Sequence, residues 1–254
     1  MDDVEIYILR KYDSYYFDGN DWYDSIRWID VTSFDQTSWS YTVPDPTNTF
    51  TDQYDNDDYE IKVRAKDKAG NSECSDDGLS KTKKVTITWD DTPPQTDVTY
   101  PSDGATVNWS TLTIKGTYTE LNGIEYIKIS IYNKSTGKGW TGTNWVTGGQ
   151  WISIPSDQIY VSSWTYSGVS WVSGDYEVNT KGKDVAGPDD NIEVPGSTTT
   201  FTVDFTAPLT NSITQPADKS WQNDSMTTYT GTAGDEANGT EVKELYLKIQ
   251  DLIR

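Results

Sequence analysis

Two stretches of this chain are nearly the same sentence. "YEIKVRAKDKAGN" runs from Tyr59 to Asn71, and "YEVNTKGKDVAGP" from Tyr176 to Pro188, 117 positions later. Further echoes follow in the same order. "TITWDDTPP" (86–94) matches "TFTVDFTAP" (200–208). "TYPSDGATVNWSTLTIKGTYTE" (99–120) matches 214–236 loosely. "GIEYIKISIYN" (123–133) resembles both "VEIYILRKY" near the start and "VKELYLKIQDL" near the end. A fixed period of this length means one supersecondary unit used again, and it limits the fold to arrays of that unit. The unit opens near Pro94 and closes near Ala207. The expected domains are a truncated repeat over 1–93, a complete repeat over 94–207 and a second truncated repeat over 208–254.

Within a unit the pattern is β. "TLTIKGTY", "EYIKISIYN", "YEIKVRAKD" and "KVTITWD" alternate apolar and polar residues at period two, and Gly, Pro, Asn and Asp punctuate them. About seven short strands in roughly 110 residues fit an immunoglobulin-like sandwich. Tyr59 and Tyr176 each follow an aspartate and open a strand, the place of a tyrosine corner. Ile61 and Val178, two residues on, occupy the place of a disulfide cysteine in antibody domains, so the core is aliphatic there.

The succession of strand, Lys-Asp-x-Ala-Gly turn, strand and Asp-Thr-x-Pro linker resembles the tandem immunoglobulin-like repeats of bacterial and archaeal surface proteins. That resemblance implies an all-β fold of tandem immunoglobulin-like β-sandwiches, one complete and two truncated. It implies an extracellular or cell-surface location and a role as a spacer or binding stalk. Pro188 departs from the pattern set by Asn71.

Composition narrows the partners. The 254 residues carry 40 acidic and 20 basic side chains, a net charge of −20. Nucleic acid and anionic membrane surfaces need clustered Lys and Arg, so neither is an expected partner. Thirteen per cent aromatics, with 17 Tyr and 11 Trp, argue for a folded chain rather than an acidic disordered one. No histidine is present, which removes Ser-His-Asp triads and imidazole metal sites. Cys74 is the single cysteine and sits in a polar run, with no base to activate it. The acidic residues fall in turns and linkers, and no enzyme activity is expected.

Two readings of the recurring motif remain open. Gly70 and Gly187 supply the positive φ of a tight turn, and Asp67 and Asp184 can cap it through their own carboxylates. The other reading is a metal site. In an immunoglobulin-like array the linker, the B–C loop and the F–G loop meet where the chain enters a unit. At the first junction these carry Asp90, Asp91, Glu120 and Asp184, with Asp55 or Asp57 able to join. Calcium takes six to eight oxygen ligands from such loops, so Ca2+ is the expected ion. The second junction carries fewer acids, with Asp175 in its loop and Asp204 followed by Phe205 in its linker.

"YYFDGNDWYDSIRW" (15–28) parallels "GKGWTGTNWVTGGQW" (139–151), with Phe17 and Trp22 matching Trp140 and Trp145. On a C–D hairpin such rings either stack on glycans or another surface protein, or pack a thin sandwich. Recurrence in both units favours packing. Four N-x-[ST] sequons, at Asn108, Asn133, Asn223 and Asn238, are what a Ser/Thr-rich chain supplies by chance.

Overall fold

The computed structural model describes residues 3–35, 37–44, 55–71, 84–186, 191–195, 198–222, 228–235 and 242–250. The chain is all-β, and its strands fall into two compact units. Unit 1 takes in Met1–Pro94, Glu120–Glu125 and Lys183–Ile192; unit 2 takes in Gln95–Thr119, Tyr126–Gly182 and Glu193–Arg254.

Unit 1 is built on one sheet. Its strands are β1 (Asp3–Arg10), β2 (Tyr15–Phe17), β3 (Trp22–Tyr23), β4 (Ile29–Asp30), β7 (Asp57–Lys66) and β8 (Lys84–Trp89), with a small separate pair β5 (Ser33–Phe34) and β6 (Trp39–Ser40). The order is β3-β2-β1-β7-β8, and β4 also pairs with β1. The period-two alternation places Ile6, Ile8, Phe17 and Tyr59 in one buried cluster. Trp22, Ile29, Tyr41, Val43, Ile61, Val63 and Trp89 pack against it.

Unit 2 repeats that sheet and adds a second. Its large sheet is formed by β10 (Ala105–Val107), β12 (Ile124–Asn133), β13 (Lys138–Trp140), β14 (Trp145–Thr147), β15 (Ile152–Ser153), β17 (Gly174–Asp184) and β18 (Thr199–Val203). The order is β14-β13-β12-β17-β18-β10, with β15 also on β12. Strand for strand this is the unit 1 sheet with β10 appended. The register is kept as well: Leu9 opposite Tyr16 becomes Tyr132 opposite Gly139, and Ile6 opposite Ile29 becomes Ile129 opposite Ile152.

The second sheet of unit 2 is β16 (Ser163–Tyr166), β11 (Ile114–Thr119) and β9 (Gln95–Tyr100) in the order β16-β11-β9. Ile114 and Trp164 from this sheet, and Ile127, Ile129, Ile131, Val178 and Val203 from the large one, are fully buried. The indole of Trp140 in the large sheet donates to the Tyr166 hydroxyl in the small one (3.2 Å). Gly116 is required where the sheets meet. A Cβ there would lie 2.1 Å from the Asp97 carbonyl oxygen and 2.1 Å from Cζ2 of Trp164. A final two-stranded sheet pairs β19 (Thr210–Gln215) with β20 (Thr230–Gly234).

The tyrosine corner forms at Tyr176. Its hydroxyl donates to the Val172 carbonyl (2.7 Å) and accepts from the Val172 N–H (3.2 Å) and Asn133 Nδ2 (3.0 Å). One donor and two acceptor positions are thereby all used. Four residues before Tyr59 the equivalent position is Asp55, and among the described residues the corner bond to upstream backbone is seen at Tyr176. Gly187 and Pro188 of the motif's second turn lie outside the described residues, as do Cys74, Asn223 and Asn238.

Candidate metal centre

In both copies of Asp-x-Ala-Gly the aspartate accepts from the N–H two residues on, and the surroundings of the two carboxylates otherwise differ. In the first, Asp67 Oδ1 accepts from the N–H groups of Ala69 (2.9 Å) and Asn71 (2.8 Å), while Oδ2 accepts from Asn71 Nδ2 (2.8 Å). Asp67 is exposed, and these donors, the Asn71 amide first, hold its carboxyl below the usual aspartate range. Gly70 closes the turn at φ +86°.

In the second copy Asp184 Oδ1 keeps the equivalent bond, from the Ala186 N–H (2.8 Å). Position 188 is proline, which has neither a backbone N–H nor an amide side chain. Both donors that served Asp67 from position 71 are absent from that residue type. Asp184 is fully buried, and its Oδ2 has no hydrogen-bond partner. An acceptor left in that state costs free energy unless a cation or a proton serves it.

Two further carboxylates share its surroundings. Asp90, Glu120 and Asp184 each offer an oxygen such that all three lie within 4.8 Å of one another. All three residues belong to unit 1. Asp90 sits just past the end of β8, where its Oδ1 accepts from the Thr92 N–H (3.2 Å). Its Oδ2 accepts from Asn122 Nδ2 (2.8 Å), and its carbonyl from Asn191 Nδ2 (2.9 Å). Glu120 Oε1 accepts from the Asn122 N–H (2.6 Å). Asn122 also donates to Oδ1 of Asn56, a residue at φ +62° whose N–H bonds to the Trp89 carbonyl (2.7 Å). The Val185 N–H reaches the Gly123 carbonyl (3.1 Å), which fixes the two loops against each other.

The electrostatics follow. Burial raises the Glu120 carboxyl above its ordinary value, and the charges of Asp90 and Asp184 add to the rise. Burial likewise raises Asp184, with Asp90 contributing, while the Ala186 N–H and the neighbouring Asn191 amide offset part of it. This is the pattern of like charges held together with too little solvent. Oxygens bound to one ion at about 2.4 Å lie no more than about 4.8 Å apart, and the three carboxylate oxygens meet that limit. Carboxylate, amide and carbonyl oxygens are the ligands that a hard cation takes.

Three of the four residues singled out from sequence are thus brought together. Asp91 is not among them. Its N–H bonds to Asp55 Oδ1 (2.9 Å), and its carboxylate does not join the group of three. Asp57 caps the N–H of Asp58 (2.9 Å) at the start of β7. Asn56 and Asn122 were missed by sequence reasoning. Their amides are neutral, and nothing in their spacing marks them. A second acidic group, Asp3, Glu5 and Asp30, differs in kind because Arg64 Nε (2.6 Å) and Lys66 Nζ (2.9 Å) both pair with Glu5.

The hairpin aromatics prove to be packing residues at their inner positions. Phe17 and Trp140 are buried, at 1% and 2% exposure. Trp22 bridges Phe17 (5.2 Å) and Tyr59 (5.9 Å); Trp145 bridges Trp140 (5.2 Å) and Tyr176 (5.7 Å). The Trp145 indole also donates to the Ser170 carbonyl (2.8 Å). Neither inner ring has a face left for a sugar.

Scans against protein-family models and against curated proteins return no match. Among solved structures, one described as a tetra-tandem repeat in the extending region of a large adhesion protein is similar at 17% identity and a TM-score of 0.34. The match covers 93% of this chain and 56% of that one, so the present chain spans little more than half of its length. A likeness that loose carries no argument about function.

Proposed function

We propose that this chain is a non-catalytic spacer segment of an extracellular or surface protein, built from repeated β-units. The observation that supports this reading is the register-for-register recurrence of one sheet, β3-β2-β1-β7-β8 and then β14-β13-β12-β17-β18. Selection that preserves cross-strand register, tyrosine and hairpin rings while turn and surface residues drift acts on architecture. The test is replacement in the parent protein. An unrelated β-repeat segment of equal length should restore the parent's function, and deletion should impair it. If the replacement fails as badly as the deletion, the segment has a specific activity and the spacer reading is wrong.

The same reading includes a cation. Calcium bound by Asp90, Glu120 and Asp184 would offset two of the three negative charges crowded there and give Asp184 Oδ2 a partner. It would tie the β8 exit, the loop before β12 and the turn after β17 into one rigid node. The hairpin aromatics support an adhesive glycan site less well, because their inner rings are in the core.

A further inference from the structure

The loop that brings Glu120 to the metal centre is written twice in the sequence. Glu-Leu-Asn-Gly stands at 120–123 and Glu-Ala-Asn-Gly at 236–239, each at the end of the matched stretches that begin at Thr99 and Thr214. The linker acid recurs with it, as Asp90 and Asp204. Leu121 is 83% exposed and becomes Ala237, as a solvent-facing position is free to do. Glu, Asn and Gly are kept. Residues 236–239 lie outside the described residues, so the first copy alone shows what the three do.

Gly123 is explained by the backbone, which it carries through the loop at φ +105°. Asn122 is not explained that way. A turn needs its backbone only, and its side chain points out of the turn to partners far away in the chain. Its Nδ2 donates to Asp90 Oδ2 (2.8 Å) and to Asn56 Oδ1, 32 and 66 positions earlier. Its own N–H donates to Glu120 Oε1 (2.6 Å). One half-buried residue thus holds two of the three acids, and Asn56 anchors it. The third acid, Asp184, is held by the Ala186 N–H (2.8 Å) and keeps its buried, unpartnered Oδ2.

We infer that Asn122 is the positioning residue of this centre and makes it select by ion size, taking calcium and rejecting magnesium. The inference rests on the calcium reading above. Magnesium binds oxygen at about 2.0–2.1 Å in a near-ideal octahedron, and calcium at about 2.3–2.6 Å with looser geometry. Three acids serving magnesium must close in by several tenths of an ångström. Here each acid already has an oxygen on an N–H, and Asp90 is tied through the Asn122 amide to Asn56. Holding them apart favours the larger ion. An asparagine suits the task because its amide is neutral: it donates to a carboxylate and adds no charge that would compete with the ion. Partners of metal ligands act in this way, by orienting the groups that touch the metal.

Calorimetric titration of the full chain with Ca2+, and separately with Mg2+, tests this in the unmodified protein, in Asn122→Ala and in Asn56→Gly, with melting curves to verify each fold. Glycine keeps the left-handed backbone at position 56 and removes only the anchor. The unmodified chain should bind Ca2+ more tightly than Mg2+. Asn122→Ala should weaken Ca2+ binding by about tenfold or more, as for other outer partners of metal ligands, and Mg2+ binding by less, so the preference narrows. Asn56→Gly should narrow it in the same direction by a smaller factor. Equal losses for the two ions would make Asn122 a part of the loop's fold and no more, and would overturn the inference. So would an unchanged preference, or a chain that holds Mg2+ as tightly as Ca2+. If Asn122→Ala does not fold, Asn56→Gly decides by the same criterion. Calcium binding that is lost in Asp184→Asn but untouched in Asn122→Ala overturns this inference alone, whereas a chain that binds no Ca2+ overturns the calcium reading and this inference with it.

Discussion

Asp67 and Asp184 occupy the same place in two copies of one motif, and their environments have opposite effects. Asp67 is exposed and served by three donors, two of them from Asn71. Asp184 is fully buried, keeps the bond from the Ala186 N–H, and faces two other acids. The carboxyl of the first is held down by hydrogen bonds, and that of the second is pushed up by burial. Proline stands at 188 where the first copy has Asn71, and a proline can supply neither of the donors that Asn71 gives to Asp67. The motif is therefore architecture in the first copy. In the second the aspartate keeps a buried oxygen with no hydrogen bond.

The larger comparison is between the two sheets, and it can be broken most visibly in their shared core. Trp140→Ala should cost about 3–5 kcal/mol, the usual range for removing a large buried ring, and Phe17→Ala should fall in the same range. Denaturant unfolding measures both. A negligible loss at Trp140 alone would mean that the hairpin rings do not play the same part in the two units.

A smaller effect separates the two tyrosines' polar partners. Position 133 is Asn, bonded to the Tyr176 hydroxyl; the matching position 10 is Arg, whose guanidinium pairs with Asp13 (2.6 Å) and lies 4.4 Å from the Trp22 ring. Tyr176→Phe leaves the buried Asn133 amide and the Val172 carbonyl without that partner, and should cost about 1–3 kcal/mol. A neutral result in thermal or denaturant melts would remove the tyrosine corner from the account.

The smallest effects are the most discriminating. In chelator at neutral pH, Asp184→Asn should raise the melting temperature by a few degrees, because it removes a charge and keeps an acceptor for the Ala186 N–H. Asp67→Asn should lower it slightly or leave it unchanged. The pH dependence has a definite sign. A carboxyl raised in the folded state favours folding below its unfolded pKa, and that contribution is lost as pH rises through the folded value. Glu120 and Asp184 should therefore make the metal-free chain lose stability between the ordinary carboxylate range and their raised values. Glu120→Gln should flatten that loss, and a melting profile against pH that is unchanged by the substitution would contradict the crowding of these acids.

Much of this was legible in the sequence, for physical reasons. Strand alternation is a local signal, so β1, β7, β12 and β17 could be read directly. The repeat offset carried the equivalence of Tyr59 with Tyr176 and of Phe17–Trp22 with Trp140–Trp145, and recurrence pointed to packing. Asp90, Glu120 and Asp184 were reachable because fold topology brings their loops together. Asp91 illustrates the limit. Neighbouring residues on an extended linker point to opposite sides, so one of an Asp-Asp pair turns away, and the sequence does not say which. The amide bridge of Asn122 between Asp90 and Asn56 depends on side-chain directions that no periodicity encodes. The replacement of Asn71 by Pro188 was visible from the start. Its meaning, two donors withdrawn from one carboxylate, became readable only once Asp184 was found buried.

The central claim is that this unmet carboxylate belongs to a calcium site. Calorimetric titration of the full chain with Ca2+, beside an Asp184→Asn variant, tests it most directly. The account predicts saturable binding of one ion to the unmodified chain, with Kd near 10⁻⁴–10⁻³ M as for extracellular modules. Binding should be lost in the variant, whose fold a melting curve would verify. Equal heats in both proteins, or none in either, would contradict the claim and leave Asp184 a turn cap with a buried, unserved oxygen.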